Sequence, residues 1–426
     1  EIGVRLVGSE MCIRDRSKLL QLNGSTVESI KEALKIDLTE DKSIELLTDM
    51  ENEKLLCRNE VSHDESQEIE KANFSALTLM LAQECNMRCS YCYGEGGEYN
   101  NKGIMTENVA FQAIDYLVKN STDELLHIAF LGGEPLLNFP LLKKVVEYCK
   151  QISADTGKKF SYTITTNGTL ITDNIEKYLT ENKIVCQISL DGTKEKNDMN
   201  RFFRNKKGSY DVIVEKTKSM RHMNLVTARA TVTPDNSDYK EIFNHLNELE
   251  FRAIPIAIAQ NMVDDEQFDK ILSEYINYIF YFEELILTKQ YAKAKKMTDL
   301  VNALEKIEFG NVRNNGCGAG RTMFAVDIDG TLYPCHRFVG ERKFALGNIW
   351  TGSDNSKFLK MINVRNRDKC SKCWAQNLCL GCCPHENYTN TNNINLASER
   401  SCRMAKTIYE KLISVYILSL IHISEP

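Results

Sequence analysis

Short apolar segments of strand length recur along the central part of the chain, starting at residue 75, and amphipathic helical patterns separate them. Regular alternation of strand and helix is typical of parallel βα units. The pattern predicts six strands, at 76–82, 126–131, 160–165, 185–190, 227–233 and 253–259. It predicts helices near 106–119, 138–153, 173–181, 210–223, 238–249 and 265–283.

Six βα units would form a partial (β/α)6 barrel of the TIM type or an open parallel sheet. In both architectures, the loops at the C-terminal ends of the strands build the active site. The alternation stops near residue 290, and the segment 317–402 is rich in Cys, Asn, Gly and Arg. We expect this segment to bury little apolar core and to depend on metal for its fold.

The two ends of the chain differ from the rest. Residues 1–16 and 417–426 resemble translated sequencing-adapter sequence, so they are left out of the fold prediction and Cys12 receives no role. Residues 17–74 carry helical patterning and an acidic, polar stretch at 62–71 that suits a linker. They are predicted to form a small N-terminal accessory domain.

Composition narrows the functional class. The chain has 426 residues, of which 42% are hydrophobic, enough for one large domain and one or two small ones. No apolar run approaches the roughly 20 residues of a membrane span and no secretory signal is evident, so we expect a cytoplasmic protein without a membrane partner. The net charge of −6 argues against bulk binding to nucleic acid. In a reducing compartment, fifteen cysteines indicate metal ligands rather than disulfides.

A first cysteine cluster, Cys85, Cys89 and Cys92, follows the first predicted strand. Three thiolates in one short loop can bind three irons of a [4Fe–4S] cubane and leave the fourth iron open to a small molecule. A zinc site is one alternative, but zinc usually takes four ligands and no fourth is nearby. Three chance cysteines in a loop are the other alternative.

The Cx3Cx2C spacing, with Tyr91 before the last cysteine, resembles the signature of radical SAM enzymes, and the resemblance extends over about residues 75–402. It implies that the cluster binds and reductively cleaves S-adenosylmethionine (SAM). The resulting 5′-deoxyadenosyl radical would abstract a hydrogen atom from the substrate. A reductant such as flavodoxin or ferredoxin is an implied partner.

Further motifs of this family follow at the strand ends. The GGEP motif that begins at Gly132 is implied to hold the SAM amino group, and Arg201 to bind the SAM carboxylate through paired hydrogen bonds. Arg204 and Arg229 are alternatives for the role of Arg201. The implied SAM contacts are Gly132, Gly133, Glu134, Pro135, Thr166, Asn167, Ser189, Asp191 and Arg201.

The C-terminal cysteine array is similar to the SPASM domain, a module that binds auxiliary iron–sulfur clusters. This resemblance implies a radical SAM barrel at 75–290 and a SPASM domain at 291–416, with a zinc ribbon as the alternative. The first auxiliary [4Fe–4S] cluster would be held by Cys317, Cys335 and Cys383. The second would be held by Cys370, Cys373, Cys379 and Cys402.

The first auxiliary set contains only three cysteines, whereas some relatives have a further cysteine shortly after the position of Cys317. We therefore expect either an open iron in this cluster or a contribution from Cys382. An open iron could bind a substrate thiolate, as the resemblance to thioether-forming peptide maturases implies. Cys149 and Cys186 lie in helix and strand patterns and are expected in the core. His336 and His385, beside cluster cysteines, are expected to have structural roles.

SPASM-bearing relatives mostly modify peptides, and residues 333–340 and 383–388 look most like ranthipeptide or sactipeptide maturases. The prediction is therefore an enzyme that forms cysteine thioether crosslinks in a ribosomal peptide, whose leader would bind residues 17–74. Sulfatase maturases usually have an acidic residue where this chain has His336. The alternatives are another radical SAM modifier, such as a sulfatase maturase or a carbon–carbon crosslinking enzyme, and a non-catalytic iron–sulfur or zinc scaffold. No catalytic base can be named.

Overall fold

One sheet of eleven strands runs through the part of the chain that the structure describes. The computed structural model describes residues 72–309 and 316–424. The predictions for residues 1–16, and nearly all of those for 17–74, lie outside the described residues. Within the described ranges, no helix combines the length and the apolar character needed to cross a bilayer.

Six parallel strands form the centre of this sheet, and they lie where the hydrophobic pattern predicts them. Their spatial order is β1-β3-β4-β5-β6-β7, with the short β2 antiparallel to the end of β1. This arrangement confirms the predicted α/β partial barrel. The strands are β1 (Ala76–Gln83), β2 (Gly103–Ile104), β3 (Leu125–Gly132), β4 (Lys159–Thr166), β5 (Val185–Ser189), β6 (Val226–Val232) and β7 (Ile256–Ile258).

Helices connect these strands, and polar side chains fix several of their starts. Thr106, Thr172 and Asp238 each accept a hydrogen bond from a backbone N–H in the first turn of the following helix. Asp264 and Gln267 form a reciprocal capping box at the longest connection. The helices are α1 (Glu107–Lys119), α2 (Phe139–Thr156), α3 (Asp173–Glu181), α4 (Lys194–Asn200), α5 (Tyr210–His222), α6 (Tyr239–Glu248) and α7 (Asp265–Leu287).

The two faces of the parallel strands differ in polarity. In β6 the four apolar residues are buried, whereas Thr227, Arg229 and Thr231 are partly exposed on the opposite face. In β3, His127 likewise lies on the partly exposed face, and its ring nitrogens hydrogen-bond to side-chain hydroxyls of β4 at 3.0 Å. One face of the sheet therefore packs into the apolar core, and polar side chains line the other face. Cys149 and Cys186 are fully buried, which confirms their predicted place in the core.

The C-terminal region continues the same sheet. Strand β8 (Met323–Val326) is parallel to β1, and β9 (Thr331–Tyr333), β10 (Gly347–Asn348) and β11 (Gly352–Ser353) follow as antiparallel neighbours. The helices of this region are α8 (Tyr291–Ala294), α9 (Thr298–Phe309), α10 (Ser356–Ile362), α11 (Asp368–Ser371), α12 (Gln376–Cys379), α13 (Pro384–Thr391) and α14 (Glu399–Ser424).

The expectation that residues 317–402 bury little core is wrong. Phe324, Leu332, Tyr333 and Phe338 are all buried and belong to the main apolar cluster. The physical reason is the pairing of β8 with β1, because the side chains of β8 then continue the face of the central sheet.

Candidate cluster and cofactor site

The first cysteine cluster lies in the loop that leaves β1. Burial raises the pKa of the Cys85 thiol to about 11, and the nearby charges of Cys89 and Cys92 contribute to the increase. Across residues 72–309 and 316–424, no three Cys, His, Asp or Glu side chains converge closely enough for one metal ion. Thiolates of a cubane bind separate irons and need not converge on one point. A loop of three neighbouring thiols therefore fits a [4Fe–4S] cluster.

A second segment, residues 200–204, lies along this loop and fixes its backbone. The Arg88 N–H donates to the Phe202 carbonyl at 2.8 Å, and the Ser90 N–H donates to the Asn200 carbonyl at 2.9 Å. The Ser90 hydroxyl also donates to Asn200 Oδ1 at 2.6 Å. The loop is therefore held by tertiary pairing as well as by its own turns.

The side chain of Arg204 also holds the backbone of the cysteine loop. Its Nε and Nη2 donate to the Cys85 carbonyl at 3.2 and 2.8 Å, and Arg88 Nη1 donates to the same oxygen at 3.0 Å. Three charge-assisted hydrogen bonds to one carbonyl hold the start of the loop. Arg204, one of the alternatives for the SAM carboxylate, thus has its guanidinium directed at the cluster loop.

The GGEP segment pairs with the end of β1. Gly133 N–H donates to the Ala82 carbonyl and Glu134 N–H donates to the Glu84 carbonyl, both at 2.8 Å. A Cβ on Gly133 would lie 2.3 Å from the Glu84 oxygen, so only glycine fits there. Pro135 begins the short 3₁₀ turn Pro135–Asn138. This pairing sets the distance between the GGEP segment and the cluster loop.

The Glu134 carboxylate joins two strand-end loops. It accepts hydrogen bonds from Leu136 N–H at 3.0 Å, the Thr166 hydroxyl at 2.7 Å and Asn167 N–H at 2.8 Å. Burial raises the pKa of Glu134, and these three donors oppose the increase. Asn167 in turn donates to Asn86 Oδ1 at 2.9 Å and lies 3.8 Å from Cys85 Sγ. The predicted SAM contacts of β3 and β4 therefore form one network with the cluster loop.

Tyr91, Asp191 and Arg201 form a hydrogen-bonded triad in which Asp191 and Arg201 are buried. The Tyr91 hydroxyl donates to Asp191 Oδ2 at 2.6 Å and accepts from Arg201 Nη1 at 2.7 Å. Asp191 Oδ1 accepts from Thr231 N–H at 2.9 Å, so both carboxylate oxygens have protein donors. Burial raises the pKa of Asp191, and Arg201 is the main opposing influence. Ser189 ends β5 two residues earlier.

Arg201 retains unused hydrogen-bonding capacity in this triad. Its side chain is buried, and its Nε–H has no hydrogen-bond partner among the described residues. A buried donor without an acceptor is costly unless a ligand supplies one. Arg201 therefore fits the predicted contact with the SAM carboxylate better than Arg204 does.

The C-terminal cysteines fall into two groups. Burial raises the pKa of the Cys335 thiol, and the charges of Cys383 and Cys317 add to the increase. The charge of Cys317 also acts on Cys383, so the three predicted ligands of the first auxiliary cluster lie together. Burial raises the pKa of the Cys402 thiol, and the charges of Cys379, Cys370 and Cys373 add to the increase. The four predicted ligands of the second cluster therefore lie near one another. Cys382 lies with the second group, since its Sγ is 3.4 Å from Cys379 Sγ.

The two cysteine regions meet at a cluster of polar residues that we call the junction: Tyr93, Arg229, His336, Arg337 and Glu386. Tyr93 directly follows Cys92, its ring centroid lies 6.4 Å from that of His336, and its side chain is 46% exposed. Arg337 forms an ion pair with Glu386 at 3.0 Å. In the described part of the chain, Arg229 has no ion pair or side-chain hydrogen bond. Burial and the charge of Arg337 lower the pKa of Arg229, which in turn contributes to the lowered pKa of His336.

The surroundings of His336 at the junction favour its neutral form. Burial, followed by the charges of Arg337 and Arg229, lowers its pKa to about 3. The side chain can therefore act as a neutral hydrogen-bonding group, and the junction gains its positive charge from arginine. The sequence placed His336 only beside a cluster cysteine; the structure places it also beside Tyr93 and thus near the first cysteine loop.

Comparison with known proteins agrees with this geometry. The profile of the radical SAM superfamily matches residues 80–249, and the profile of SPASM, an iron–sulfur cluster-binding domain, matches residues 317–374. The chain belongs to the radical SAM superfamily. It is a radical SAM enzyme with a SPASM domain, and [4Fe–4S] clusters and SAM are its cofactors.

Several relatives match most of their own length. A cysteine-type anaerobic sulfatase-maturating enzyme of Clostridium novyi is 26% identical over 373 residues, which are 80% of this chain and 96% of the relative. An uncharacterised protein of Methanocaldococcus jannaschii is 33% identical over 219 residues, 49% of this chain and 74% of the relative. The structure of anSMEcpe with bound AdoMet and the Cp18Cys peptide has a TM-score of 0.69 at 22% identity, covering 81% of this chain and 99% of that one. The last likeness shows a shared fold.

Sequence reasoning missed several residues that organise this radical SAM site. Ser90, Asn200 and Arg88 have ordinary polar side chains, and no local spacing relates positions 88–90 to position 200. The sequence pointed to this segment only through Arg201, because its predicted contact with SAM drew attention to residues 200–204. The hydroxyl of Tyr91 was also missed, because an aromatic side chain alone does not specify the role of its polar end.

The carboxyl group of Asp299, in the first turn of α9, offers a test of its surroundings through the pH dependence of stability. Its Oδ2 accepts from Ile256 N–H at 2.7 Å, and burial raises its pKa from 3.8 to about 6, while the Ile256 hydrogen bond and Arg229 oppose the increase. A raised folded-state pKa gives stability that is present below about pH 4 and lost as the pH rises through about 6. Asp299→Asn keeps an acceptor for Ile256 and should stabilise the fold at pH 8 by about 3 kcal/mol, since the pKa rises from 3.8 to about 6 and one pKa unit is worth about 1.4 kcal/mol.

Urea denaturation at pH 5 and pH 8 measures this effect. The parent protein should lose stability between the two conditions, and Asp299→Asn should lose less. Asp155→Asn, at an exposed position of α2, is the matched control and should follow the parent. Equal pH dependence in Asp299→Asn and the parent would show that the Asp299 carboxyl titrates normally.

Proposed function

We propose that this protein oxidises a cysteine-containing peptide and closes a thioether link between the cysteine sulfur and another residue of the same peptide. The observation that carries the proposal is the first auxiliary group of three thiols, Cys317, Cys335 and Cys383. The nearest spare thiol, Cys382, lies against Cys379 of the other group. Three protein thiolates leave a coordination position that a substrate thiolate can occupy.

The proposed ligand sets follow the three cysteine groups. Cys85, Cys89 and Cys92 hold the cluster that binds SAM, and the two C-terminal groups hold the auxiliary clusters. When bound, the first cluster and SAM together supply a 5′-deoxyadenosyl radical that can abstract a substrate hydrogen atom. The protein's contribution is to position the reacting groups and to exclude water.

Within this proposal, Arg201 binds the SAM carboxylate and Asp191 fixes the orientation of Arg201 through Tyr91. Both oxygens of Asp191 already accept protein hydrogen bonds, so its contribution is positional. The junction binds the peptide between the two cysteine regions, with Tyr93 on one side and His336 on the other. Arg229 supplies to this space a guanidinium that has no hydrogen-bond or ion-pair partner among the described residues. The peptide's leader, recruited by residues 17–74, and flavodoxin or ferredoxin as the electron source belong to the same proposal.

Sulfatase maturation is the second candidate. It is favoured by the similarity to cysteine-type anaerobic sulfatase-maturating enzymes, which covers 80% of this chain for the Clostridium novyi relative. Both candidates act on a cysteine of a peptide, but their products differ. Thioether formation keeps the sulfur and removes two hydrogens, whereas conversion of the cysteine to an aldehyde removes the sulfur.

Anaerobic incubation with SAM, dithionite and a cysteine-containing peptide distinguishes the candidates. The first choice of peptide is a small cysteine-rich peptide encoded beside this gene, and the comparison peptide carries a sulfatase-type cysteine motif. We expect the first peptide to become two hydrogens lighter, to lose its iodoacetamide-reactive thiol and to release no sulfide. A Cys85→Ala variant is the control and should leave both peptides unchanged. Sulfide release with an aldehyde product would establish the second candidate and reject the first.

A further inference from the structure

The second auxiliary site contains one thiol more than a [4Fe–4S] cluster requires. The four predicted ligands lie near one another, and Cys382, which the sequence offered as an alternative fourth ligand of the first auxiliary cluster, lies among them instead. A cubane with four irons takes one protein thiolate on each iron. The five thiols of this site are Cys370, Cys373, Cys379, Cys382 and Cys402.

The thiols of Cys379 and Cys382 are in direct contact. Their Sγ atoms are 3.4 Å apart, which is a sulfur–sulfur contact without a covalent bond. Thiolates that bind different irons of a cubane have to lie farther apart than two sulfurs in contact. In this arrangement the pair therefore offers one iron two sulfurs.

The turn between the two cysteines is rigidly specified. Leu380, Gly381 and Cys382 all have left-handed φ values, of 54°, 80° and 62°. Such a conformation costs a residue with a side chain about 1–2 kcal/mol. The Gly381 carbonyl accepts from Arg367 Nη1 at 2.8 Å and from Asn387 Nδ2 at 2.9 Å, and both of these side chains are buried. The fold thus maintains a strained turn that directs the thiol of Cys382 back to Cys379.

We propose that Cys379 and Cys382 are interchangeable ligands of the same iron in the second auxiliary cluster. The proposal rests on the ligand sets proposed above. Exchange breaks one iron–sulfur bond and forms another, and one proton passes from the incoming thiol to the outgoing thiolate. Because no electron is transferred, the exchange needs no oxidant. The spare thiol makes this cluster resistant to loss of one ligand, whereas the first auxiliary group has no spare thiol among the described residues.

Iron and sulfide content after anaerobic reconstitution tests the proposal. The variants are Cys379→Ala, Cys382→Gly, the double variant and Cys402→Ala; glycine at 382 also suits the left-handed backbone. We expect both single variants of the pair to keep the iron of the parent protein. The double variant and Cys402→Ala should each lose the iron of one cluster, about a third of the total if three [4Fe–4S] clusters are present. The electron paramagnetic resonance spectrum of the reduced protein should lose one signal in parallel.

The outcomes separate this proposal from the ligand assignment. If Cys379→Ala loses as much iron as Cys402→Ala, Cys382 does not replace Cys379 and the exchange is rejected. If Cys402→Ala keeps all its iron, the proposed ligand set is wrong and the exchange is rejected with it. Size-exclusion chromatography reports the folded state of each variant. A Cys379→Ala protein that aggregates while Cys402→Ala stays folded also contradicts the proposal, because a replaced ligand preserves the local fold.

Discussion

Replacing Gly133 with alanine is expected to abolish SAM cleavage and to destabilise the protein by about 3 kcal/mol. The added Cβ would lie 2.3 Å from the Glu84 oxygen, 2.6 Å from the Glu84 carbonyl carbon and 2.7 Å from the Gly97 oxygen. All three are backbone atoms, so no side-chain rotation can make room. Either the GGEP segment or the cluster loop must move, and Cys85 directly follows Glu84.

Gly157→Ala is the matched control for this substitution. Unlike Gly133, Gly157 has a left-handed φ, of 74°, but no described atom lies within 4 Å of a Cβ built there, and it ends α2 away from the cysteine loop. Alanine at this position should cost about 1 kcal/mol and leave SAM cleavage intact. Thermal unfolding and the rate of 5′-deoxyadenosine formation measure both effects. Normal SAM cleavage in Gly133→Ala would show that the cluster loop and the GGEP segment are not packed as described.

The barrel could be predicted from sequence because its strands are buried and its helices are amphipathic. Six strands and six helices occur where periodicity indicates them, often within two residues at each end. The C-terminal strands could not be predicted in this way. Strands β9, β10 and β11 have only two or three residues, too few to show a period, and β8 pairs with β1, which lies about 250 residues earlier in the chain. Such pairing leaves no local trace in the sequence.

The same distinction between local patterns and long-range contacts applies to the residues of the candidate site. Cysteine spacing and the GGEP segment are local patterns tied to specific chemistry, so the cluster loop could be recognised directly. The roles of Glu134 and Arg204 depend on which distant groups they contact. Glu134 receives donors from the end of β4, and Arg204 donates to the Cys85 carbonyl. Neither contact follows from residue type or from spacing along the chain.

Tyr91→Phe is expected to weaken SAM binding about tenfold or more while leaving the iron content unchanged. The hydroxyl is the donor to Asp191 Oδ2 and the acceptor for Arg201 Nη1. Its removal leaves two buried polar groups without partners, at a cost of about 1–3 kcal/mol, and about 1.4 kcal/mol corresponds to tenfold in affinity. Arg201 is then no longer held in the orientation in which its unpartnered Nε–H is available to a carboxylate. Calorimetric titration of the reconstituted protein with SAM measures the affinity.

Tyr239→Phe distinguishes this positional role from a general effect of losing a tyrosine hydroxyl. The Tyr239 hydroxyl is buried and has no hydrogen-bond partner in the described part of the chain, so phenylalanine there removes a polar atom without disconnecting others. SAM affinity should be unchanged in Tyr239→Phe. An unchanged affinity in Tyr91→Phe would mean that Arg201 is oriented without the phenol. Equal losses in both variants would mean that packing alone is responsible. A selective loss in Tyr91→Phe, with full iron content, would connect the aromatic residue of the cysteine motif to cofactor affinity through Arg201 rather than through the cluster.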